Sequence, residues 1–232
     1  MALYFTAYAT KNGAYKANKK MPAGSPAGII VHSTGANNPN LKRYVNCPSI
    51  CGKNIYKNYF DSASLEVCPH GVIGKDKNGN VKAAKILPWN ICCWGCGNGK
   101  KGSYNYSPAY IQIEICEDGL TDKKYFNDAF TLMAQLCNYL MRVYPTIKLD
   151  NIISHKEACA RGYASNHGDC DHWLVKFGKD MDWFRDLVKN NGEIVENYIV
   201  EATKTVNSSN EANSLKSKLT NLGFEVKIKE GN

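Results

Sequence analysis

The pattern of apolar and polar positions predicts an α/β domain over residues 28–189. Residues 28–32 and 110–116 are apolar at nearly every position, as expected of strands that are buried on both faces. The second segment carries one acidic residue, Glu114, in its middle. Short strand-like runs alternate with helical patterns, so we expect a mixed central β-sheet flanked by helices.

Two helices are predicted from the spacing of apolar residues. Between residues 121 and 144 these residues recur at helical intervals, and Pro145 follows directly. A second amphipathic helix is predicted over residues 181–189, and the polar run at residues 75–80 contains the Asn-Gly pair typical of a hairpin turn.

The two ends of the chain differ from this domain in character. Residues 1–27 contain four lysines and no acid, which predicts a solvated basic N-terminal extension, or else a surface for an anionic polymer or a lipid. Residues 193–232 follow an Asn-Asn-Gly linker and predict a small β-α-β unit: a strand over 198–205, a helix over 210–222 and a strand over 223–229.

Composition narrows the class of protein. The net charge is +8, and the last forty residues carry five lysines against six glutamates, so the basic surface belongs to the first 192 residues. No apolar run is long enough to cross a membrane, and no secretory signal is recognisable, so we expect the chain to be cytoplasmic as synthesised.

Ten cysteines are therefore expected in a reducing environment, where free thiols or metal ligands are favoured over disulfides. Cys47 and Cys51, and Cys93 and Cys96, have spacings that a second, structural zinc would accept. Buried free thiols are the favoured interpretation, and the second metal and a disulfide remain alternatives.

Histidines and an aspartate suggest a metal site. His32 and His155 each end an apolar strand-like run, and a polar segment containing His167 and Asp169 follows. Imidazole and carboxylate bind Zn²⁺ well, and three protein ligands leave the open position that a catalytic zinc requires. A single histidine at a strand end is more often structural, so spacing alone leaves both interpretations open.

Four segments in this order resemble the type 2 N-acetylmuramoyl-L-alanine amidases. These segments are Ile-Ile-Val-His-Ser-Thr-Gly at residues 29–35, the strand of Glu114, the strand before His155, and His-Gly-Asp with the following Trp173. That family includes phage endolysins, bacterial autolysins and peptidoglycan recognition proteins. The resemblance covers about residues 28–188 and is strongest to endolysins of phages that infect Gram-positive bacteria.

The resemblance implies a role for each matching residue. The zinc ligands of the family fall on His32, His155 and Asp169, with Cys170 as the rival for the third position. The catalytic acid of the family falls on Glu114. A carboxylate in so apolar a strand is costly to bury, which independently suggests that Glu114 faces a polar site.

The chain departs from its relatives at two positions. Many relatives have a lysine two residues before the third ligand, where this chain has His167, and an imidazole in that place would titrate near neutral pH. We therefore expect His167 to stabilise the oxyanion and activity to fall as it deprotonates. Relatives also pair a tryptophan with a histidine, whereas Gly95 follows Trp94 here. His70 is interpreted equally as a groove residue or a structural one, and His172 with Trp173 as orienting the ligand loop.

The function expected from the resemblance is zinc-dependent hydrolysis of the amide bond between N-acetylmuramic acid and L-alanine in peptidoglycan. The alternative is a non-catalytic peptidoglycan-binding protein. A nucleic-acid partner is not expected, because paired Cys-x-x-Cys motifs and a basic-aromatic segment are missing. Residues 1–27 are a candidate contact for anionic wall polymers. Residues 193–232 resemble part of a SPOR-type glycan-binding module. Wall binding, a packing appendage and a dimer-forming half-domain are the alternative interpretations of this unit.

Overall fold

The computed structural model describes residues 3–193, 204–221 and 226–229. Its strands are β1 (Phe5–Thr6), β2 (Ile29–Ser33), β3 (Gly71–Lys75), β4 (Val81–Lys85), β5 (Ile111–Ile115) and β6 (Ile152–Ser154). Its α-helices are α1 (Gly13–Ala17), α2 (Pro48–Cys51), α3 (Lys123–Val143), α4 (His155–Ala160), α5 (Asp171–Lys176), α6 (Met181–Lys189) and α7 (Ser209–Asn221). Short 3₁₀ turns lie at Pro22–Gly24, Leu41–Arg43 and Leu149–Asn151.

The six strands form one mixed sheet in the order β1-β4-β3-β5-β2-β6. Strands β3, β5, β2 and β6 run parallel, and β4 joins β3 as an antiparallel hairpin. The hairpin turn is the predicted one, and Asp76 closes it by accepting hydrogen bonds from the backbone of Asn78 and Asn80. The predicted mixed α/β fold is confirmed.

Alternation along β2 and β5 separates a core face from a polar face. Ile29 and Val31 of β2 pack in the main apolar core with the odd-numbered isoleucines of β5 and with α3 and α6. His32 and Glu114 alternate to the other face, where they are register partners across the parallel pair. The two-residue alternation of the strands therefore places the imidazole of His32 beside the carboxylate of Glu114, on the face opposite the main apolar core.

Helix α3 packs on the apolar face of the sheet and is linked to the end of β5, the strand that carries Glu114. Asp122 caps the helix by accepting the backbone N–H of Tyr125. The hydroxyl of Tyr125 then donates to the carbonyl of Cys116, 2.6 Å away, directly after β5. The helix is the one predicted over 121–144, shortened at both ends.

The N-terminal segment is part of the domain, which differs from the predicted solvated extension over residues 1–27. Strand β1 pairs with β4 at the sheet edge, and Ala9, Ala14 and Met21 are buried in the apolar clusters. The buried side chain of Asn12 donates to three backbone carbonyls, those of Phe60, Leu65 and Val67. The prediction of a solvated extension relied on the four lysines and overlooked the alternation of small apolar residues in the same segment. Contact with an anionic wall polymer stays a prediction.

The chain divides into two compact units, residues 1–195 and 196–232. In the second unit, α7 matches the helix predicted over 210–222. The predicted strand over 198–205 lies mostly outside the described residues, as do positions 223–225 of the other, and residues 226–229 adopt no strand. Among the helices of the described residues, none combines the length and apolar character of a membrane span.

Candidate metal centre

His32 lies within β2, one residue before its end, and its ring is almost fully buried. Its Nδ1 atom points toward Asp169, and its Nε2 atom lies 3.0 Å from the side-chain oxygen of Gln112. Burial disfavours the imidazolium and lowers the pKa of His32. A neutral ring with one nitrogen held by a partner is the form that ligates metals.

His155 is the first residue of α4. The sequence had instead suggested that it is the last residue of a strand. Ser154 ends β6 because it caps the helix: its hydroxyl accepts from the backbone of Glu157, whose carboxylate accepts from the backbone of Ser154. Arg185 of α6 then binds both oxygens of Glu157 and the carbonyl of Ile152. The helix start that presents His155 is therefore fixed from two sides.

Asp169 reaches both histidines from the loop before α5. Its carboxylate oxygens lie 2.9 Å from Nδ1 of His32 and 3.5 Å from Nδ1 of His155. Its backbone carbonyl accepts the N–H of His155 at 3.1 Å, which ties the loop to α4. Cys170, the rival ligand, is buried in the apolar core together with Trp173.

The separations among these atoms suit a tetrahedral metal. The two Nδ1 atoms of His32 and His155 are 3.1 Å apart. Ligand atoms around a tetrahedral zinc lie about 3.3 Å apart, given bonds of roughly 2.0–2.1 Å. In the described part of the chain, this trio is the one group of three or more His, Cys, Asp or Glu side chains placed to hold a metal ion. The residues present therefore fit zinc.

The charge state of the trio also suits a cation. Burial alone would raise the pKa of Asp169, but hydrogen bonds and charge from His155 and His32 hold it well below its ordinary value. The carboxylate is therefore ionised, and two imidazole nitrogens converge with it on one point.

Glu114 stands beside the trio with a desolvated carboxyl group. Burial, with the negative charges of Asp169 and Glu117 nearby, raises its pKa from 4.5 to about 8. Within the described residues its Oε2 atom is buried and has no hydrogen-bond partner. A buried polar atom without a partner is costly, and a proton-transferring group is a common reason to keep one.

His167 lies at the exposed rim of the site. Its Nδ1 atom is 3.0 Å from the hydroxyl of Ser165, which is itself 3.4 Å from Nε2 of His155. The ring centroids of His155 and His167 are 4.8 Å apart. The structure thus brings His167 to the site, in contact with the far side of a candidate ligand and not with the point on which the trio converges.

The other two histidines lie outside the trio. His70 is fully buried; its Nε2 donates to the carbonyl of Ile91, and its Nδ1 accepts the backbone N–H of Gln112. Of the two interpretations of His70, the structural one fits this geometry. His172 pairs with the buried Glu117 at 3.0 Å, and Glu117 also accepts the backbone N–H of Gly35. That contact joins the Asp169 loop to the end of β2.

The sequence interpretation missed Gln112, which contacts His32 directly. It lies two residues before Glu114 and therefore on the same face of β5. A fully buried glutamine in an apolar strand was a signal of the same kind as Glu114. Its own partner, Asn105, comes from a loop that no pattern linked to the site.

The cysteine side chains supply no ligand atom to the trio in the described residues. All ten lie within the described residues 3–193 and carry free thiols. Burial raises the pKa of Cys51 to about 12 and that of Cys93 well above its ordinary value. Such thiols behave as small apolar side chains.

Comparison with known proteins finds one matching family and several similar folds. The profile of the family described as N-acetylmuramoyl-L-alanine amidase matches residues 22–171. A solved structure of Staphylococcus aureus hydrolase AmiA in complex with its ligand shares 19% identity and a TM-score of 0.56, over 82% of this chain and 79% of that one.

Two further structures are similar. The structure of PlyL gives 20% identity and a TM-score of 0.53 over 81% of this chain and 97% of that one. The solution structure of the PlyG catalytic domain gives 22% identity and a TM-score of 0.53 over 81% of this chain and 94% of that one. No curated protein matches the chain.

Proposed function

Because the chain belongs to the N-acetylmuramoyl-L-alanine amidase family, we propose that it is a zinc-dependent hydrolase of the amide bond between N-acetylmuramic acid and L-alanine in peptidoglycan. The proposal includes His32, His155 and Asp169 as the zinc ligands. The observation that carries it is the convergence of these three side chains, from β2, α4 and the loop before α5, beside an unpartnered oxygen of Glu114 in the described part of the chain.

Zinc, when bound, supplies Lewis acidity to the scissile carbonyl. Glu114 serves as general base: it takes a proton from the attacking water and delivers it to the leaving amine of L-alanine. In the zinc-free protein the pKa of Glu114 is about 8, and a bound cation would lower it, which leaves more of the carboxylate ionised to accept the proton of water at neutral pH. The negative charges beside Glu114 favour this proton uptake.

His167 is proposed to stabilise the oxyanion from the rim. Its Nδ1 is engaged by Ser165, which leaves Nε2 as the ring nitrogen that can donate to a substrate. The contact with Ser165 limits the rotation of the ring.

Purified peptidoglycan provides the test. We expect the chain to release stem peptides with a new N-terminal L-alanine, and expect a chelator to abolish the release and added Zn²⁺ to restore it. Reducing-end sugars should not increase, because the glycan bond is left intact. Binding to the wall without new N-terminal alanine would instead identify a non-catalytic binder.

A further inference from the structure

Two buried side-chain amides extend from His32: Gln112 contacts the ring, and Asn105 contacts Gln112. Neither takes part in the proton transfers proposed for Glu114. The Gln112 oxygen lies 3.0 Å from Nε2 of His32, and the Gln112 nitrogen donates to the Asn105 oxygen at 2.6 Å. Gln112 is fully buried and Asn105 nearly so. The pair therefore acts without competition from water.

The orientation of the Asn105 amide is fixed by groups that have only one hydrogen-bonding role. Its oxygen faces the backbone N–H groups of Gly95 and Cys96, at 3.1 and 3.3 Å, and these can only donate. Its nitrogen donates to the carbonyl of Gly97, which can only accept. Rotating the amide by 180° would reverse all three contacts.

That orientation determines the next two members of the chain. Since the Asn105 oxygen accepts, the Gln112 atom facing it must be the NH₂ group, and the Gln112 oxygen is left facing His32. The oxygen can only accept, so Nε2 of His32 must carry a proton. With a metal ion bound, Nδ1 then supplies the lone pair, and Nδ1 is the atom aimed at Asp169 and His155.

Packing around Gln112 restricts it to this position. A Cβ atom added at Gly95 would lie 2.6 Å from the Gln112 oxygen, so the absence of a side chain at Gly95 makes room for the amide. The backbone of Gly95 meanwhile holds Asn105.

We propose that Gln112, oriented by Asn105, is a positioning residue that keeps His32 protonated at Nε2 and so presents Nδ1 as the zinc ligand. This inference rests on the proposed zinc-dependent function and extends it to two residues outside the ligand trio. Groups in this position fix ring orientation and raise ligand basicity, and their loss ordinarily weakens metal binding by about 10- to 100-fold.

The first experiment measures zinc affinity by competition with a chromophoric chelator, in wild type and in Gln112→Met, which keeps the shape but removes the acceptor. We expect the affinity of the variant to be weaker by about 10- to 100-fold. Gln135→Met is the matched control, since Gln135 lies on α3 and is not among the site residues; its affinity should equal that of wild type.

The second experiment reads the protonation of the His32 ring directly, from ¹⁵N chemical shifts of the zinc-loaded protein, because without metal Nδ1 lies 2.9 Å from the ionised Asp169 and donates a proton to it. We expect Nε2 protonated and Nδ1 bound to zinc in wild type, and a fraction of His32 bound through Nε2 in Gln112→Met. An Nδ1-protonated His32 in wild type would overturn the inference even if the variant did not fold. Wild-type affinity in a folded Gln112→Met would also overturn it, whereas a wild type that binds no zinc would defeat the proposed function instead.

Discussion

His32 and His70 are both fully or almost fully buried, and both contact Gln112, yet their surroundings give them opposite roles. His70 uses both ring nitrogens on backbone groups, and burial lowers its pKa to about 4. His32 uses one nitrogen on Gln112 and aims the other at a carboxylate and a second imidazole. The number of ring nitrogens that the scaffold leaves available thus separates a structural histidine from a candidate ligand.

The same distinction applies to the carboxylates. Glu157 has both oxygens engaged by Arg185 and by the backbone of Ser154, and it stabilises the start of α4. Glu114 keeps one buried oxygen without a partner in the described residues. The fully paired Glu157 thus supports the frame of the site, whereas the unpartnered oxygen of Glu114 is the one that stands beside the trio.

The largest difference in zinc binding and activity should come from substituting His32 and His70 in turn. His32→Ala removes one of three proposed ligands, so we expect no zinc to remain after dialysis and no release of stem peptides. His70→Ala leaves the carbonyl of Ile91 and the N–H of Gln112 unpaired beside a cavity, and should lower the free energy of unfolding by about 2–4 kcal/mol. Zinc content by mass spectrometry and thermal melting measure the two effects.

The contrast between His32 and His70 would be wrong if His70→Ala lost zinc and His32→Ala kept it. A His70→Ala protein that is folded but free of zinc would make His70 part of the metal site. A His32→Ala protein with one equivalent of bound zinc would remove His32 from it. Zinc-free wild type serves as the reference for melting, since bound metal itself adds stability.

Sequence patterns were sufficient for the elements whose signal is local. The apolar runs at residues 28–32 and 110–116 located β2 and β5, and the helix predicted over 121–144 nearly matches α3. The start of α4 was also readable, because Ser154 and Glu157 form a capping box, but the apolar run before His155 was interpreted as continuing through it.

Other features depend on contacts between distant segments. Asn105 reaches Gln112 only after the loop carrying Gly95 folds over β5, and Arg185 reaches Glu157 from 28 positions away. The N-terminal strand was missed since its two residues gain their stability by pairing with β4. Two-residue strands have no period of their own to recognise.

Substituting Glu114 should give the next largest effect and extend the contrast between satisfied and unsatisfied groups. Glu114→Gln keeps the size of the side chain and removes its proton transfer, so we expect kcat to fall by about 10²–10⁴-fold while zinc stays bound. Stem-peptide release and metal content are the measurements. Activity within a few fold of wild type would exclude Glu114 as the base.

A smaller effect should appear in the pH dependence of stability of the zinc-free protein. The folded pKa of Glu114 is raised from 4.5 to about 8, so folding binds a proton between these values and stability falls as pH rises through this window. At pH 7 the penalty is at most about 3 kcal/mol. Glu114→Gln should therefore be more stable than wild type at pH 7 and equally stable near pH 4, as followed by urea unfolding.

Equal slopes of stability against pH in both proteins would show that Glu114 ionises freely in the fold. That result would weaken the contrast with Glu157, because an exposed and solvated carboxylate needs no partner. The glutamine variant is suitable here since it cannot ionise at any pH in the window.

The smallest effect is expected at His167, whose exposure at the rim separates it from the buried His32 and His70. We expect His167→Ala to lower kcat on the order of tenfold, less than the roughly 10²–10³ typical of a buried oxyanion donor, since solvent screens the contact. In His167→Lys the alkaline limb of the pH–rate profile should move to higher pH, because lysine keeps its charge to about pH 10. An alkaline limb that is the same in wild type and His167→Lys would assign it to another group and leave His167 as a neighbour of Ser165 alone.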